Sequence, residues 1–260
     1  MKRSRAAWLT VAVLLLLVIS LVLFLPARWV MPWLQPRLHD LALEGVHGLI
    51  WDGAADQLRG ADGRPLGRLR WQLSRRALWG TLDLQLDFQG PRVSGSGHLG
   101  RDAQGRPVWS NVALRADLAA SAPYLHSPLG TPQGALTVTL ARAVLQANWP
   151  IELQGRAQWR DAAMQAREGR IALGNLTMTV DGANGVLHGQ LHDEDNGPLQ
   201  VEGQWQASPL GWRLDLRLKP RDADPGLRHW VARVGRAQAD GSVHLQRRGG
   251  LAAATPETAP

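Results

Sequence analysis

The chain has no cysteine among its 260 residues. That excludes a disulfide scaffold, a Cys-ligated zinc site and thiol catalysis. It does not exclude an oxidising compartment, which requires no disulfides. Lysine is nearly absent: Lys2 and Lys219 are the two in the chain, so the sequence pI of about 11.1 is carried by arginine. The basic residues stand singly among Asp and Gln and never form a run of five, which leaves no nucleic-acid footprint. Three of them fall in residues 1–5, and no acid precedes Asp40. The remainder carries 26 basic against 22 acidic groups, so the formal charge of +7 overstates it by three. Phe and Tyr are scarce, at two and one, whereas Trp reaches twelve. Large aromatics fill the core of a thin β structure, so packing is the expected use of most indoles.

What the chain does have is one long uncharged run, Ala6 to Leu25. At ~1.5 Å per residue a helix of that length is about 30 Å long, the thickness of a bilayer's hydrocarbon core. Lys2, Arg3 and Arg5 precede it and Arg28 alone follows closely, which keeps the N-terminus on the cytoplasmic side. A cleavable signal peptide would have a shorter apolar region and a small-x-small site, and Leu23-Phe24-Leu25-Pro26-Ala27-Arg28 offers none. Trp8, Trp29 and Trp33 lie near the two expected headgroup levels, where an indole buries its ring and keeps its N–H wet. The expected division is a cytoplasmic N-terminus over 1–5, a transmembrane anchor over 6–25, and a juxtamembrane linker over 26–40 with at most a short helix. An outer β-rich domain over 41–250 and a disordered tail over 251–260 follow.

After residue 40 the hydrophobic period is two. Thr81 to Phe88 alternates without a fault, and Leu69–Leu73, Leu136–Leu140, Leu176–Val180 and Trp212–Leu218 do the same. Asp62-Gly63, Gly90-Pro91, Asp181-Gly182 and Gly197-Pro198 read as turns between strands. Gly95, Gly97, Gly155, Gly189, Gly203 and Gly241 fall within strand patterns, where glycine marks a bulge, a bend or a close backbone approach. One helix is expected near 224–234, with Asp222 or Asp224 as cap, Pro225 in the first turn, Leu227, Trp230, Val231 and Val234 on one face, and Gly235 at its end. Ten to twelve one-sided strands and a single helix predict a mostly β fold, a curled or sandwich-like antiparallel sheet. Otherwise part of its apolar face stays open for a partner or a lipid.

Candidate chemistry is thin. His192-Asp193-Glu194-Asp195-Asn196-Gly197 is the densest acidic cluster, but its spacing is not that of an EF-hand loop and it reads as a turn. His188 and His192 would share a strand face, without a signalled third ligand. Ser94-Gly95-Ser96-Gly97 fits neither a nucleophile elbow nor a phosphate loop, and Asp240-Gly241-Ser242 suits a turn. No catalytic constellation, metal site or cofactor site is expected.

Three stretches resemble a known family. Leu43 to Leu58 contains Gly48, Trp51, Gly53 and Ala55 in a Gly-x-x-Trp-x-Gly-x-Ala frame; Leu66-Gly67 leads to Trp71; and Gly155, Trp159 and Ala162 are followed by Leu173-Gly174, Gly197-Pro198, Gly203, Gly235 and Asp240-Gly241. In this order, behind an N-terminal anchor, they resemble protein N of the bacterial type II secretion system, also called general secretion pathway protein N. Leu49 departs from the family's small polar residue. The resemblance implies a non-enzymatic, single-pass protein of the Gram-negative inner membrane, with a periplasmic β domain. It would take part in export of folded proteins across the outer membrane. The partners implied are other components of that machine, the inner-membrane platform proteins or the outer-membrane secretin, with exposed sheet edges available for strand addition. The one-sided strands leave a second reading, a lipid- or lipoprotein-binding module with an apolar β groove. A filled interior would exclude that module, and an open trough beginning at the anchor would favour it. Strand order, direct partner and oligomeric state are not set by the sequence.

Overall fold

Period-two alternation fixes a sheet in which every strand shows one apolar and one polar face. In the computed structural model, which describes residues 14–17, 20–37, 41–60, 63–120, 129–167, 169–194, 197–222 and 224–250, these strands form one antiparallel sheet of fourteen. They are β1 Ala42–Gly48, β2 Asp52–Arg59, β3 Pro65–Leu73, β4 Asp83–Gln89, β5 Val93–Arg101, β6 Pro107–Asp117 and β7 Thr131–Gln146. Then come β8 Trp149–Ala166, β9 Gly169–Ala183, β10 Val186–Asp193, β11 Leu199–Ser208, β12 Gly211–Pro220, β13 Arg236–Ala237 and β14 Val243–Gly250. Strands β1 to β12 pair in chain order, β14 adds to β12, and the two-residue β13 lies outside β14. Helix α1 (Ala27–Leu34) precedes the sheet and helix α2 (Pro225–Val234) separates β12 from β13.

The register keeps the two faces separate across almost the whole width. Leu69, Phe88, Gly95, Leu114, Val138, Ala157, Met178, Leu191, Gly203, Leu216 and Leu245 stand opposite one another in an unbroken apolar row from β3 to β14. One residue along, Arg70, Asp87, Ser96, Ala113, Thr139, Arg156, Thr179, Gln190, Gln204, Asp215 and Gln246 form the matching row on the other face. A slip of one residue in any strand would exchange the two rows, so burial of one face enforces the register.

No second sheet faces this one among the described residues, so the sandwich is not what forms. The count also exceeds the expected ten to twelve, because β1 and β2 carry Gly, Ala and Asp where a strand pattern needs apolar alternation. The apolar face is covered in two other ways. At its C-terminal end α2 lies over it: Asp224 accepts from Gly226 N at 2.9 Å, and Leu227, Trp230 and Val231 are buried against Ile171, Leu173, Leu199, Val201, Leu218 and Val243. Full burial of such side chains contributes roughly 1.5–3 kcal/mol each.

Elsewhere the face covers itself. Gly53 stands opposite Trp71, Gly95 opposite Leu114, Gly155 opposite Leu140, Gly182 opposite Leu187, Gly189 opposite Trp205, Gly203 opposite Leu216 and Gly249 opposite Trp212. In each pair the large side chain lies where the glycine's Cβ would be. These glycines are therefore seats for cross-strand side chains, and at Gly95, Gly189 and Gly203 the expectation of bulges and bends is corrected. At Gly97 the expected bulge is present, the β5–β6 register shifting there opposite Asn111, and at Gly155 a β7–β8 shift between Leu140 and Arg142 adjoins the seat. The β8–β9 register shifts at Asp161, and Asn111 and Asp161 are both at positive φ.

Several turn assignments change as well. Asp181 and Gly182 lie inside β9, and the turn follows at Asn184-Gly185, both at positive φ as a type I′ hairpin requires. Gly241 belongs to the turn before β14 rather than to a strand. Gly235 follows α2 in an extended conformation, and a Cβ there would stand 2.8 Å from His244 O, so close approach to β14 is its constraint rather than a left-handed cap.

Half of the expected anchor, residues 6–13, 18 and 19, lies outside the described residues. Within it, Leu14–Leu17 and Ser20–Leu23 are helical. Among the described residues no helix is long and apolar enough to cross a membrane. The tail over 251–260 and the residues Asp195 and Asn196 also lie outside them.

Gly189→Val should push the Trp205 indole off its seat and destabilise the domain by about 1–3 kcal/mol through overpacking. The expected readout is a lower midpoint in thermal circular dichroism, roughly 2–4 °C per kcal/mol, and recovery on adding Trp205→Val. An unchanged midpoint in Gly189→Val would mean that the seat does not constrain packing.

Candidate functional site

The Gly-x-x-Trp-x-Gly-x-Ala frame folds as the turn between β1 and β2 and ties the N-terminal segment to the sheet. Gly48 has φ +83°, a conformation that disfavours any side chain, and a Cβ there would meet Asp52 O at 2.7 Å. Leu49 N donates to Asp52 O at 2.8 Å and closes the turn. Trp51, 9% exposed, donates Nε1–H to Val22 O at 2.9 Å, while Ile50 N donates to Leu25 O at 3.0 Å. Leu49 also forms a bridge with Pro26. The carbonyls of Val22 and Leu25 lie at the C-terminal end of a helical stretch, where intrahelical donors run out. Trp51 and Ile50 supply two of them.

The same turn is held from behind by β3. Trp71 Nε1 donates to Ile50 O at 3.1 Å, and Leu73 N donates to Trp51 O at 2.8 Å. Gly53 leaves room for the Trp71 ring and for Leu49 O, 2.7 Å from where its Cβ would be. Ala55 is buried, 1% exposed. Four motif residues from the sequence thus act on one junction, and Trp71 of the second stretch joins them.

The remaining motif residues secure hairpins. Leu66-Gly67 and Leu173-Gly174 each lie within a strand, β3 and β9. The backbone at Gly67 approaches Gly90, whose Cα would be 2.5 Å from an added Cβ, and Gly174 approaches Gly197 at 2.7 Å. Both contacts join residues 23 apart, and both partner glycines precede proline, Pro91 and Pro198. Trp159 donates Nε1–H to Gln133 O at 2.8 Å. Ala162 and Leu173 are buried in the core under α2, and Gly155 and Gly203 seat Leu140 and Leu216. Asp240 accepts from Ser242 N at 3.0 Å and from Ser242 Oγ at 2.6 Å beside Gly241. These bonds hold the Asp240 carboxyl below its ordinary range.

The acidic cluster is occupied by structure. Asp193 is buried; its Oδ1 accepts from Val201 N at 2.8 Å and its Oδ2 from Arg221 Nη1 at 2.6 Å. Glu194 accepts from Asn175 Nδ2 at 3.1 Å. His188 and His192 do share the polar face, in a shallow depression of about 830 Å³ with Gln204, Asp215, Arg217 and His244. There Gln246 and His244 hydrogen-bond Asp215, at 2.8 and 2.6 Å, and hold its carboxyl below the usual range. Ser94-Gly95-Ser96-Gly97 forms the middle of β5.

Sequence reasoning missed the seats at Gly182, Gly189 and Gly249, although glycine opposite Trp or Leu on an apolar face is the signal. The open apolar groove that the one-sided strands left as an alternative is present as a trough of about 310 Å³, and its place, on the apolar face of β1 to β6, is what the sequence did not give. Leu41, Leu43, Leu58, Leu86, Trp109 and Val112 line it, and Leu41 is 38% exposed. α2 covers the other end of the sheet and leaves this end open.

A family model described as type II secretion system, protein N, matches residues 39–246. The type II secretion system protein N of Vibrio cholerae serotype O1 is 28% identical over 207 residues, covering 74% of this chain and 79% of that protein. No solved structure matches. The family match spans the sheet from the strand before the Trp51 turn to β14, and the chain belongs to the type II secretion system protein N family, a non-enzymatic component of protein secretion in the Gram-negative envelope.

Proposed function

We propose that this protein is a single-pass inner-membrane component of the type II secretion machine whose periplasmic sheet acts by protein–protein contact. The anchor runs over 6–25 with the N-terminus cytoplasmic, residues 26–40 lie at the interface, and 41–250 form the periplasmic domain. Exposure supports the membrane end: Leu14, Leu15, Leu16, Leu17 and Phe24 are each about 60% exposed or more, and Trp29 and Trp33 stand out from α1 at 58% and 78%. Contiguous exposed apolar side chains of this kind mark a membrane or a partner.

The observation that carries the contact reading is the open sheet. Among the described residues the outer edge of β1 is unpaired, and β13 covers β14 at Val243 and His244 alone, leaving 245–250 unpaired. Free N–H and C=O rows accept an added strand. The partners fitting this reading are the inner-membrane platform proteins or the outer-membrane secretin.

The absence of cysteine makes a clean test. Single cysteines at Glu44 on β1 and Arg247 on β14, joined by a short bis-maleimide in whole cells, should yield adducts with secretion components. A cysteine at Gln190, in the middle of the polar face, should not. Adducts from Gln190 alone would remove the edge-contact reading, and secretion of exoproteins at normal levels after deletion of the gene would count against an essential role.

Trp51→Phe keeps the ring and removes the bond to Val22 O. It should cost the junction about 0.5–1.5 kcal/mol and raise protease cleavage within 26–40 in spheroplasts, with the sheet's own thermal midpoint little changed. A cleavage rate equal to that of the unaltered protein would mean that Trp51 does not couple the segment to the sheet.

A further inference from the structure

The trough over β1 to β6 has a composition that selects its occupant. Its side chains are Leu, Val, Phe and Trp; Ser96, the one polar residue along it, has its side chain on the opposite face by register. At ~30 Å³ per water molecule the trough's 310 Å³ would hold about ten waters. Apart from the Trp109 indole N–H, the lining side chains carry no donors or acceptors for those waters, so hydrocarbon displaces them favourably. An added strand would fare badly there, because its backbone groups would lie over side chains that cannot bond them.

Position singles out which hydrocarbon. The trough begins at Leu41 and Leu43, a few residues after α1 and the 3₁₀ turn Gln35–Arg37. Trp29, Trp33 and Leu34 are exposed on α1, and Arg28 beside them is exposed as well, suited to a lipid phosphate. α1 packs against β1, the strand at which the trough begins. The Trp51 turn fixes the N-terminal segment to the sheet through Val22 and Leu25. Six strands at ~4.8 Å spacing span about 24 Å, against about 15 Å of hydrocarbon in one leaflet. The width of the six strands therefore exceeds the length of hydrocarbon that one leaflet's acyl chain contributes.

We infer that the trough binds an acyl chain of a phospholipid drawn from the membrane in which residues 6–25 lie. This rests on the anchored reading above. The complementary end of the sheet shows the alternative: there α2 supplies Leu227, Trp230 and Val231 from the chain itself.

The test uses the full-length protein in vesicles of phosphatidylethanolamine and phosphatidylglycerol containing a phosphatidylethanolamine with a photoreactive acyl terminus. Label should appear, by mass spectrometry, on peptides holding Leu86 and Val112 as well as on the N-terminal segment, and unlabelled lipid should compete. Val112→Asp should cut labelling of the sheet roughly tenfold, since a carboxylate is unfavourable against hydrocarbon. Gln190→Asp on the polar face should leave it unchanged, with folding of both followed by circular dichroism. Protein that floats with the vesicles but is labelled before Leu41 alone overturns the inference. Protein that does not float overturns the anchored reading instead. A photoreactive amino acid at Val112 that yields a polypeptide adduct in cells, and no lipid adduct, would assign the trough to a partner's helix.

Discussion

Among the described residues the single sheet has no facing layer, and the features of this protein answer to that constraint. Fourteen strands present one continuous apolar face that a sandwich would bury against a second sheet. Here the large side chains of one strand lie over glycines of the next, as Trp205 does over Gly189 and Trp71 over Gly53. A glycine lowers the surface at its own position and lets an indole or isobutyl group cover backbone as well as neighbours. The indole N–H groups are then brought within reach of acceptors: Trp71, Trp149, Trp159 and Trp230 each donate to a main-chain carbonyl at 2.8–3.1 Å. That explains why the aromatic content is Trp rather than Phe, since the ring supplies area and the N–H fixes its orientation.

The same device builds the junction. Gly53 seats Trp71, Trp71 bonds Ile50, Ile50 bonds Leu25, and Trp51 bonds Val22. The chain of contacts runs from the interior of the sheet to the N-terminal segment without a flexible step. A tether of that kind sets the distance and orientation of the sheet relative to whatever holds the segment.

The Gly and Trp frames are thus structural in their immediate contacts. Gly67 and Gly174 pin two hairpins by backbone approach to Gly90 and Gly197. Asp193 satisfies Val201 and Arg221 at the end of the core beneath α2. Neither arrangement performs chemistry. Both hold strands at the length and register that leave free edges at one place and an uncovered apolar trough at another.

Much of this was legible in the residues. Alternation gave the strands, Asp224 and Pro225 gave α2, and the ordered Gly and Trp frames gave the family, because period, capping and motif are local properties of the chain. Three things were not. Whether Gly189 bends a strand or seats Trp205 depends on register, which pairs residues far apart in sequence. Whether one-sided strands close into a sandwich depends on what else covers them, and only the placement of α2 over β8 to β14 left β1 to β6 open. The acceptor of the Trp51 indole, Val22 O, lies 29 residues before it, in a segment whose own sequence says apolar and nothing more. The sequence by itself determined which face of each strand is apolar, since side-chain direction alternates along any extended chain. Tertiary structure decided what meets that face, since contact is set by pairing and packing that no local pattern encodes.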